Sequence, residues 1–402
     1  MINADEALRI ILESTRLLGT ERVDLLNCSG RTLAKSIVSK ENLPPFDNSS
    51  MDGIAVRSSD LSHPSSGQPI RLEIVGEASA GNVFRGALRS GQCARVMTGG
   101  RIPDGADAVV PIEQVKSLDE KFIECSGPVR PGEYIRRAGE DIRKGEVALQ
   151  DGEIITAAHA GVLASLGIAR PLVVHRPRVN IVSTGDELVE IDRKPGPGQI
   201  RNSTAYALEA YVREAGGKPH ILGIARDRKK KITRMIEKGL EGDILLITGG
   251  VSVGKYDFVK EVLDALDVNR KFWRVNIKPG KPLVFGTLKK TLVFGLPGNP
   301  VSTSVTFLEF VRPAIWKMLH RKALVPEKLS AIFDDRLTKT DGKRHFLRGV
   351  FTHRDGTMHV KLTGTQSSGV MSSLMKANCL IVIPEDVAQL NPGNQVQIEL
   401  LK

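Results

Sequence analysis

Cysteine is scarce in this chain of 402 residues: Cys28, Cys93, Cys125 and Cys379 stand far apart and form no C-x-x-C pair. That spacing excludes a zinc ribbon and a disulfide framework, and four reduced structural thiols are expected. The eight histidines are equally scattered, so a metal, if there is one, is expected on hard oxygen ligands. Long apolar runs are missing as well, and nothing approaches the roughly 18 residues that a membrane helix needs. The acidic stretch from Met1 to Ala7 has neither the basic nor the apolar part of an export signal, so a cytoplasmic protein without membrane attachment is expected. Only four Tyr and two Trp are present to stack on bases, and the net charge of +11 is spread along the chain. Nucleic acid is therefore not the expected partner; anionic small substrates and a lysine-rich surface account for the charge.

What is present is a globular composition, 41% apolar and 26% charged, on a chain too long for one core. Residues 3–18 carry apolar side chains at helical spacing, with Asn3 and Glu6 as a capping box, and a second helix-like stretch covers about 30–38. From about 54 to 150 short strands alternate with Gly and Pro, which predicts an all-β unit, and residues 153–168 return to helix. From Arg170 to about 321 strands and helices alternate, which predicts a doubly wound parallel sheet. Beyond 322 short strands resume and predict a small β-barrel. The fold class read from this is multidomain α/β: a helical domain at 1–44 plus 140–172, a β-rich domain at 45–139, a doubly wound domain at 173–321 and a barrel at 322–402.

The chemistry gathers at predicted strand ends, where open α/β sheets bind ligands. Ile244–Ile247 predicts a strand buried on both faces, followed by Gly249, Gly250, Ser252 and Gly254 as an anion-approach loop and by Asp257 as a metal ligand. Thr184, Gly185, Asp186 and Glu187 end another strand, so Asp186, Glu187 and Asp257 together suit Mg²⁺ on a phosphate ester or nucleotide. Lys278 and Lys281 project from a Pro–Gly–Pro turn as a fixed pair of charges for an oxyanion. Pro297, Gly298, Asn299 and Pro300 lead into a helix whose N-terminus, with Ser302, can bind an anion. Nearer the N-terminus, Asp47 and Asp52 follow paired prolines, Thr98 sits beside two glycines after a strand, and Glu140 and Asp141 lie among cations. Each piece alone is also readable as loop chemistry; together, at consecutive strand ends, they point to an anionic ligand.

These blocks resemble one family, the molybdopterin molybdenumtransferases, which include the E domain of gephyrin. The likeness runs through the segments 44–53, 97–99, 139–142, 183–188, 249–254, 277–282, 296–302 and 364–368. It implies four domains, a homodimer with a shared active site, and insertion of molybdate or tungstate into adenylylated molybdopterin with Mg²⁺-dependent release of AMP. It also implies contact with a molybdopterin adenylyltransferase. By the same resemblance Asp52, Thr98 and Asp141 would come from the partner subunit, and Glu187 and Asp227 would join the acidic set. Lys278 and Lys281 would hold molybdate with Ser302, Arg344, Arg348 and Ser367. The sequence departs from the pattern at Ile54, Lys255 and Arg274. Two other readings share some of these features: a lone molybdopterin adenylyltransferase, which needs neither 1–170 nor 322–402, and a scaffold protein.

Overall fold

Asn3 is extended (φ −76°, ψ 169°) and its side chain accepts the Glu6 N–H at 2.7 Å, so helix α1 (Ala4–Ser14) starts where the capping pattern predicts. It ends at Ser14 rather than near residue 18, because Thr15 turns extended and returns its hydroxyl to the Ile11 carbonyl at 2.7 Å. The computed structural model describes residues 1–62, 69–250 and 258–401. These fall into two compact units, one of Met1–Ala34, Gly152–Thr156 and Pro171–Lys402, the other of Lys35–Asp151 and Ala157–Arg170.

The first unit is built on strands and helices in alternation: β1 (Arg178–Thr184), α2 (Ser203–Glu214), β2 (Lys218–Ala225), α3 (Lys229–Gly239), β3 (Ile244–Thr248) and α4 (Phe258–Ala265). There follow β4 (Asn269–Phe272), the short β5 (Ile277–Lys278), β6 (Val284–Leu288), β7 (Thr291–Leu296), α5 (Pro300–Thr306) and α6 (Arg312–Met318), the last two joined by a π-helical turn at Phe307–Val311. The sheet runs β2-β1-β3-β7-β6-β4, with the first four strands mutually parallel, β6 antiparallel to β7, and β4 antiparallel to β6. Ile244 and Leu246 enter one apolar cluster and Leu245 and Ile247 the other, which is why all four consecutive residues are apolar and fully buried.

The chain then forms β8 (Lys328–Phe333), β9 (Arg344–Arg354), β10 (Thr357–Leu362), β11 (Cys379–Ile383) and β12 (Gln395–Leu400). Pairing runs β9-β10-β8-β12-β11 and back to β9, so this sheet closes into a barrel. Along β11 the alternation is plain: Cys379, Ile381 and Ile383 fill the barrel, while Leu380 and Val382 join the core of the α/β layer. Strand β5 pairs with β9, Ile277 opposite Arg344, which fastens the lysine turn to the barrel.

The second unit carries a six-stranded mixed sheet in the order Ala108–Pro111, Gly53–Val56, Gln92–Val96, Ile70–Ala78, Phe122–Cys125 and Val115–Ser117. Its helix covers Ala157–Ser165. The stretch 30–38 is not helical: Ile37–Val38 pairs with Val147–Leu149, and Leu33 N–H donates to the Glu153 carbonyl at 2.8 Å. Backbone partners more than a hundred residues away override the local pattern there. All four cysteines are free and buried, and burial pushes the Cys93 thiol up to about 12 and that of Cys125 up to about 11. Among the described residues no helix is long and apolar enough to cross a membrane.

Candidate active site at the strand ends

The carboxyl ends of β1, β3 and β7 open on one cleft of about 400 Å³. Its walls include Thr184 and Glu187 after β1, Gly249 and Gly250 after β3, and Pro297, Gly298, Asn299 and Pro300 after β7. Sequence reasoning placed these three loops together, and they share one cavity. Ser252, Gly254 and Asp257, with Lys255 between them, lie outside the described residues.

The glycines work by shape. Gly249 sits at φ +82°, and a Cβ there would stand 2.6 Å from the Thr184 carbonyl oxygen. Its N–H, however, already donates to the Leu296 carbonyl at 3.2 Å, and that of Gly185 donates to Ala225 at 3.2 Å. These two positions therefore let the loops approach each other rather than supply donors to a ligand. Thr184 Oγ1 donates to the Thr248 carbonyl at 3.2 Å, tying the ends of β1 and β3.

Asp186 and Asp227 hold each other through the backbone: the Asp186 N–H donates to Asp227 Oδ2 and the Asp227 N–H to Asp186 Oδ1, both at 3.2 Å. Glu187 is exposed and lines the cleft. Of the acidic set Glu187 alone is on the described wall of the cleft, and one carboxylate oxygen donor beside phosphate and water is within what Mg²⁺ takes. No cluster of three metal-ligating side chains occurs among the described residues.

Lys278 is exposed and its Nζ lies 3.3 Å from Asp341 Oδ2, while Lys281 stands exposed beyond Pro279 and Gly280. Asp341 also contacts His345 Nε2 at 2.8 Å and Lys343 Nζ at 3.5 Å. Burial opposes its charge, but His345 and then Lys278 and Lys343 hold its carboxyl well below the usual carboxylate range. Ser302 is buried in the first turn of α5.

The barrel residues are engaged locally. Arg344 makes a bidentate pair with Asp5, both contacts at 2.7 Å, and reaches Glu385 at 3.3 Å. Arg348 is wholly buried, donating to Ser373 Oγ and to the Ser367 carbonyl, each at 3.1 Å, and burial pushes its guanidinium down to about 10. It thus fixes the 364–368 loop, and that loop meets the cleft: Asn299 Nδ2 donates to Ser368 Oγ at 3.2 Å and the Val301 N–H to the Ser368 carbonyl at 3.1 Å.

In the second unit Asp52 Oδ1 accepts both the Thr98 N–H and the Thr98 hydroxyl at 2.7 Å. The hydroxyl first and then the amide lower the Asp52 pKa. Asp52 lines a cavity of about 470 Å³ together with Arg95, Met97 and the buried Ile54. Asp141 lies on a different turn, where its N–H donates to the Leu43 carbonyl at 3.0 Å. Asp47, grouped with Asp52 by sequence, instead accepts from Arg137 Nη1 at 2.7 Å and the Ala138 N–H at 2.8 Å, fixing that turn.

The reading of the sequence missed Arg201, Asn202, Ser203 and Thr204, which form another wall of the cleft. The signal was available: a cation and three small polar residues run directly into helix α2.

Known proteins match the chain in all of its parts. Residues 2–167 match the "MoeA N-terminal region (domain I and II)", residues 180–317 the "Probable molybdopterin binding domain" and residues 330–401 the "MoeA C-terminal region (domain IV)". A molybdopterin molybdenumtransferase of Haemophilus influenzae is 38% identical over 99% of this chain and 98% of its own length. One from Bacillus subtilis is 34% identical over 100% of this chain and 94% of its own. The crystal structure of a molybdopterin biosynthesis moeA protein from Pyrococcus horikoshii superposes with a TM-score of 0.85 at 33% identity, covering 100% of both chains. With matches along its whole length, and with its strand-end cleft falling in the part that matches the molybdopterin-binding domain, the chain belongs to the MoeA family of molybdopterin molybdenumtransferases.

Proposed function

We propose that the protein inserts molybdate, or tungstate, into adenylylated molybdopterin with release of AMP, forming molybdenum cofactor. The observation that carries this reading is the single cleft shared by the ends of β1, β3 and β7, whose walls combine Glu187, close-packed glycines and the 297–300 turn. Molybdate must give up oxo groups to accept two dithiolene sulfurs, an unfavourable exchange in water; cleaving a phosphoanhydride in the same site drives it. Thr184, Gly185, Gly249, Gly250 and the 297–300 turn shape the nucleotide and pterin position, and Ser252 and Gly254, outside the described residues, are assigned to the same ligand. Lys278 exchanges its ion pair with Asp341 for the incoming oxyanion, and Lys281 provides the second charge. Ser302 completes that set, and Arg348 acts by holding Ser367 and its loop in place. Asp186, Glu187 and Asp257 would hold Mg²⁺, which when bound supplies Lewis acidity to the diphosphate, and Asp227 keeps Asp186 in position.

Asp52, Thr98 and Asp141 belong to the other compact unit, and we assign them to the site of a second subunit in a homodimer. Four domains with the boundaries expected from the sequence, a cytoplasmic location and transfer of the substrate from a molybdopterin adenylyltransferase complete the reading. The test is a single-turnover assay of AMP release from adenylylated molybdopterin. Release that requires both molybdate and Mg²⁺, and stops when EDTA is added, is the expected result; tight binding without release removes the proposal in favour of a carrier or scaffold.

A further inference from the structure

The described lining of the cleft contains one carboxylate, Glu187, and one cation, Arg201. Neither Lys278 nor Lys281 is on its wall. Arg201 is exposed and anchored by a hydrogen bond from Nε to the Ile191 carbonyl at 3.1 Å, and among the described residues its Nη atoms have no acceptor. Next to it, Asn202 occupies the N-cap of the twelve-residue helix α2 without capping it. Its Oδ1 instead accepts the Ser183 hydroxyl at 2.9 Å, and Ser183 in turn lies 3.3 Å from Thr248 Oγ1, so the amide orientation is set from beneath the cleft. Asn202 is 2% exposed, and its Nδ2 has no hydrogen-bond partner among the described residues. A buried amide donor left unpaired is unfavourable, so it marks a place where an acceptor belongs. The first-turn N–H groups of α2, at Ser203 and Thr204 on the same wall, have no intrahelical partners either.

We propose that Arg201, Asn202 and the N-terminus of α2 form a second oxyanion subsite of the cleft, one that takes a phosphoryl group of the nucleotide and leaves the lysine turn to the metal oxyanion. A guanidinium, an amide and a helix N-terminus together match the several oxygens of a phosphoryl group, and Asn202 discriminates a phosphoryl oxygen from a group that cannot accept. Ser183 and Thr248 act as positioning residues for Asn202. The inference rests on the reading of the cleft as a nucleotide site, but not on the insertion chemistry.

The intact protein is titrated calorimetrically with AMP, adenosine and inorganic phosphate, in the parent, Arg201→Gln and Asn202→Asp. Asn202→Asp keeps the acceptor for Ser183 but exchanges the donor for a carboxylate, so the uncharged Asn202→Leu is titrated beside it to separate the lost donor from charge repulsion; Arg201→Gln changes an exposed side chain, and thermal midpoints close to the parent's are the control. The expected result is a loss of AMP affinity of about tenfold or more in each variant, with adenosine affinity unchanged. Weaker phosphate binding in the same variants would place the contact on the phosphoryl group itself. Equal losses for AMP and adenosine, no loss for either, or a parent that binds AMP no better than adenosine overturns the subsite. Molybdate-dependent AMP release separates the two ideas. A parent that binds AMP through Arg201 yet releases none loses the insertion reading and keeps the subsite. A parent that releases AMP, with Arg201→Gln unchanged in KM, loses the subsite and keeps the reaction.

Discussion

Two cations of the expected oxyanion set, Lys278 read from its turn and Arg348 from the resemblance, have opposite surroundings, and that difference predicts opposite phenotypes. Lys278 is 60% exposed and faces Asp341 at 3.3 Å, a pairing largely screened by water. Lys278→Ala is therefore expected to change unfolding free energy by less than about 1 kcal/mol while weakening molybdate binding; unchanged molybdate affinity would remove its assignment. Arg348 is wholly buried and holds Ser373 and Ser367. Truncation to Ala leaves a cavity and unpaired polar groups, so Arg348→Ala should lower stability by about 2–5 kcal/mol in urea unfolding. Both lysines of the turn were legible in the sequence because prolines and a glycine fix them locally. The surroundings of Arg348 were not, since they come from residues 19 and 25 positions further on, across a barrel no local pattern describes.

At the level of elements, the loop after β3 and the helix through residues 300–318 each carry a constraint that can be measured. Gly249 is at φ +82° with a Cβ position 2.6 Å from a carbonyl, whereas a Cβ at Gly298 would meet nothing nearer than 3.7 Å. Gly249→Ala should thus lose about 1–3 kcal/mol by thermal or urea unfolding, and Gly298→Ala should not. The π-helical turn holds Glu309, whose Oε1 is sealed from solvent, against the buried Glu399 of β12. Burial and then Glu399 raise the Glu309 pKa well above the usual carboxylate range, while Arg312 and Lys328 oppose the shift. The native state accordingly binds a proton that the unfolded chain has released above about pH 4.3. Stability from this group is full below that pH and falls as pH rises through the native value. Glu309→Gln should flatten this decline and raise the unfolding free energy at pH 8 by on the order of 1 kcal/mol; a parallel pH profile in parent and variant would refute it.

Strand β3 was legible because four apolar residues in a row, stopped by a pair of glycines, suit a short strand buried on both faces, and α1 because its cap is local. The helix expected at 30–38 failed because its partners are distant strands. The antiparallel edge was also missed, although only Lys289 and Lys290 separate β6 from β7, a connection too short for a parallel crossover. Arg201 and Asn202 escaped because the chain reaches them through a long connection after Glu187, and nothing local ties them back to that strand end.

On the scale of the whole molecule, the residues assigned to one reaction fall into two compact units: Asp52, Thr98 and Asp141 in one, and Glu187, Lys278 and Lys281 in the other. If each site takes one unit from each subunit, inactive Asp52→Ala and Lys278→Ala proteins unfolded and reassembled together should regain activity. About a quarter of the sites are restored by random pairing, one intact site in each mixed dimer. No recovery in confirmed mixed dimers would put the site within a single subunit. The barrel, for its part, is wired into the cleft: Ser368 accepts from Val301 and Asn299, while Leu380 and Val382 fill the core of the α/β layer. Cutting the chain after α6 would strip that core of its cover and unfasten the 297–302 turn in one stroke. The α/β layer of this protein is therefore not a portable cassette; anyone grafting its chemistry onto another scaffold must carry the barrel along or rebuild the wall that it provides.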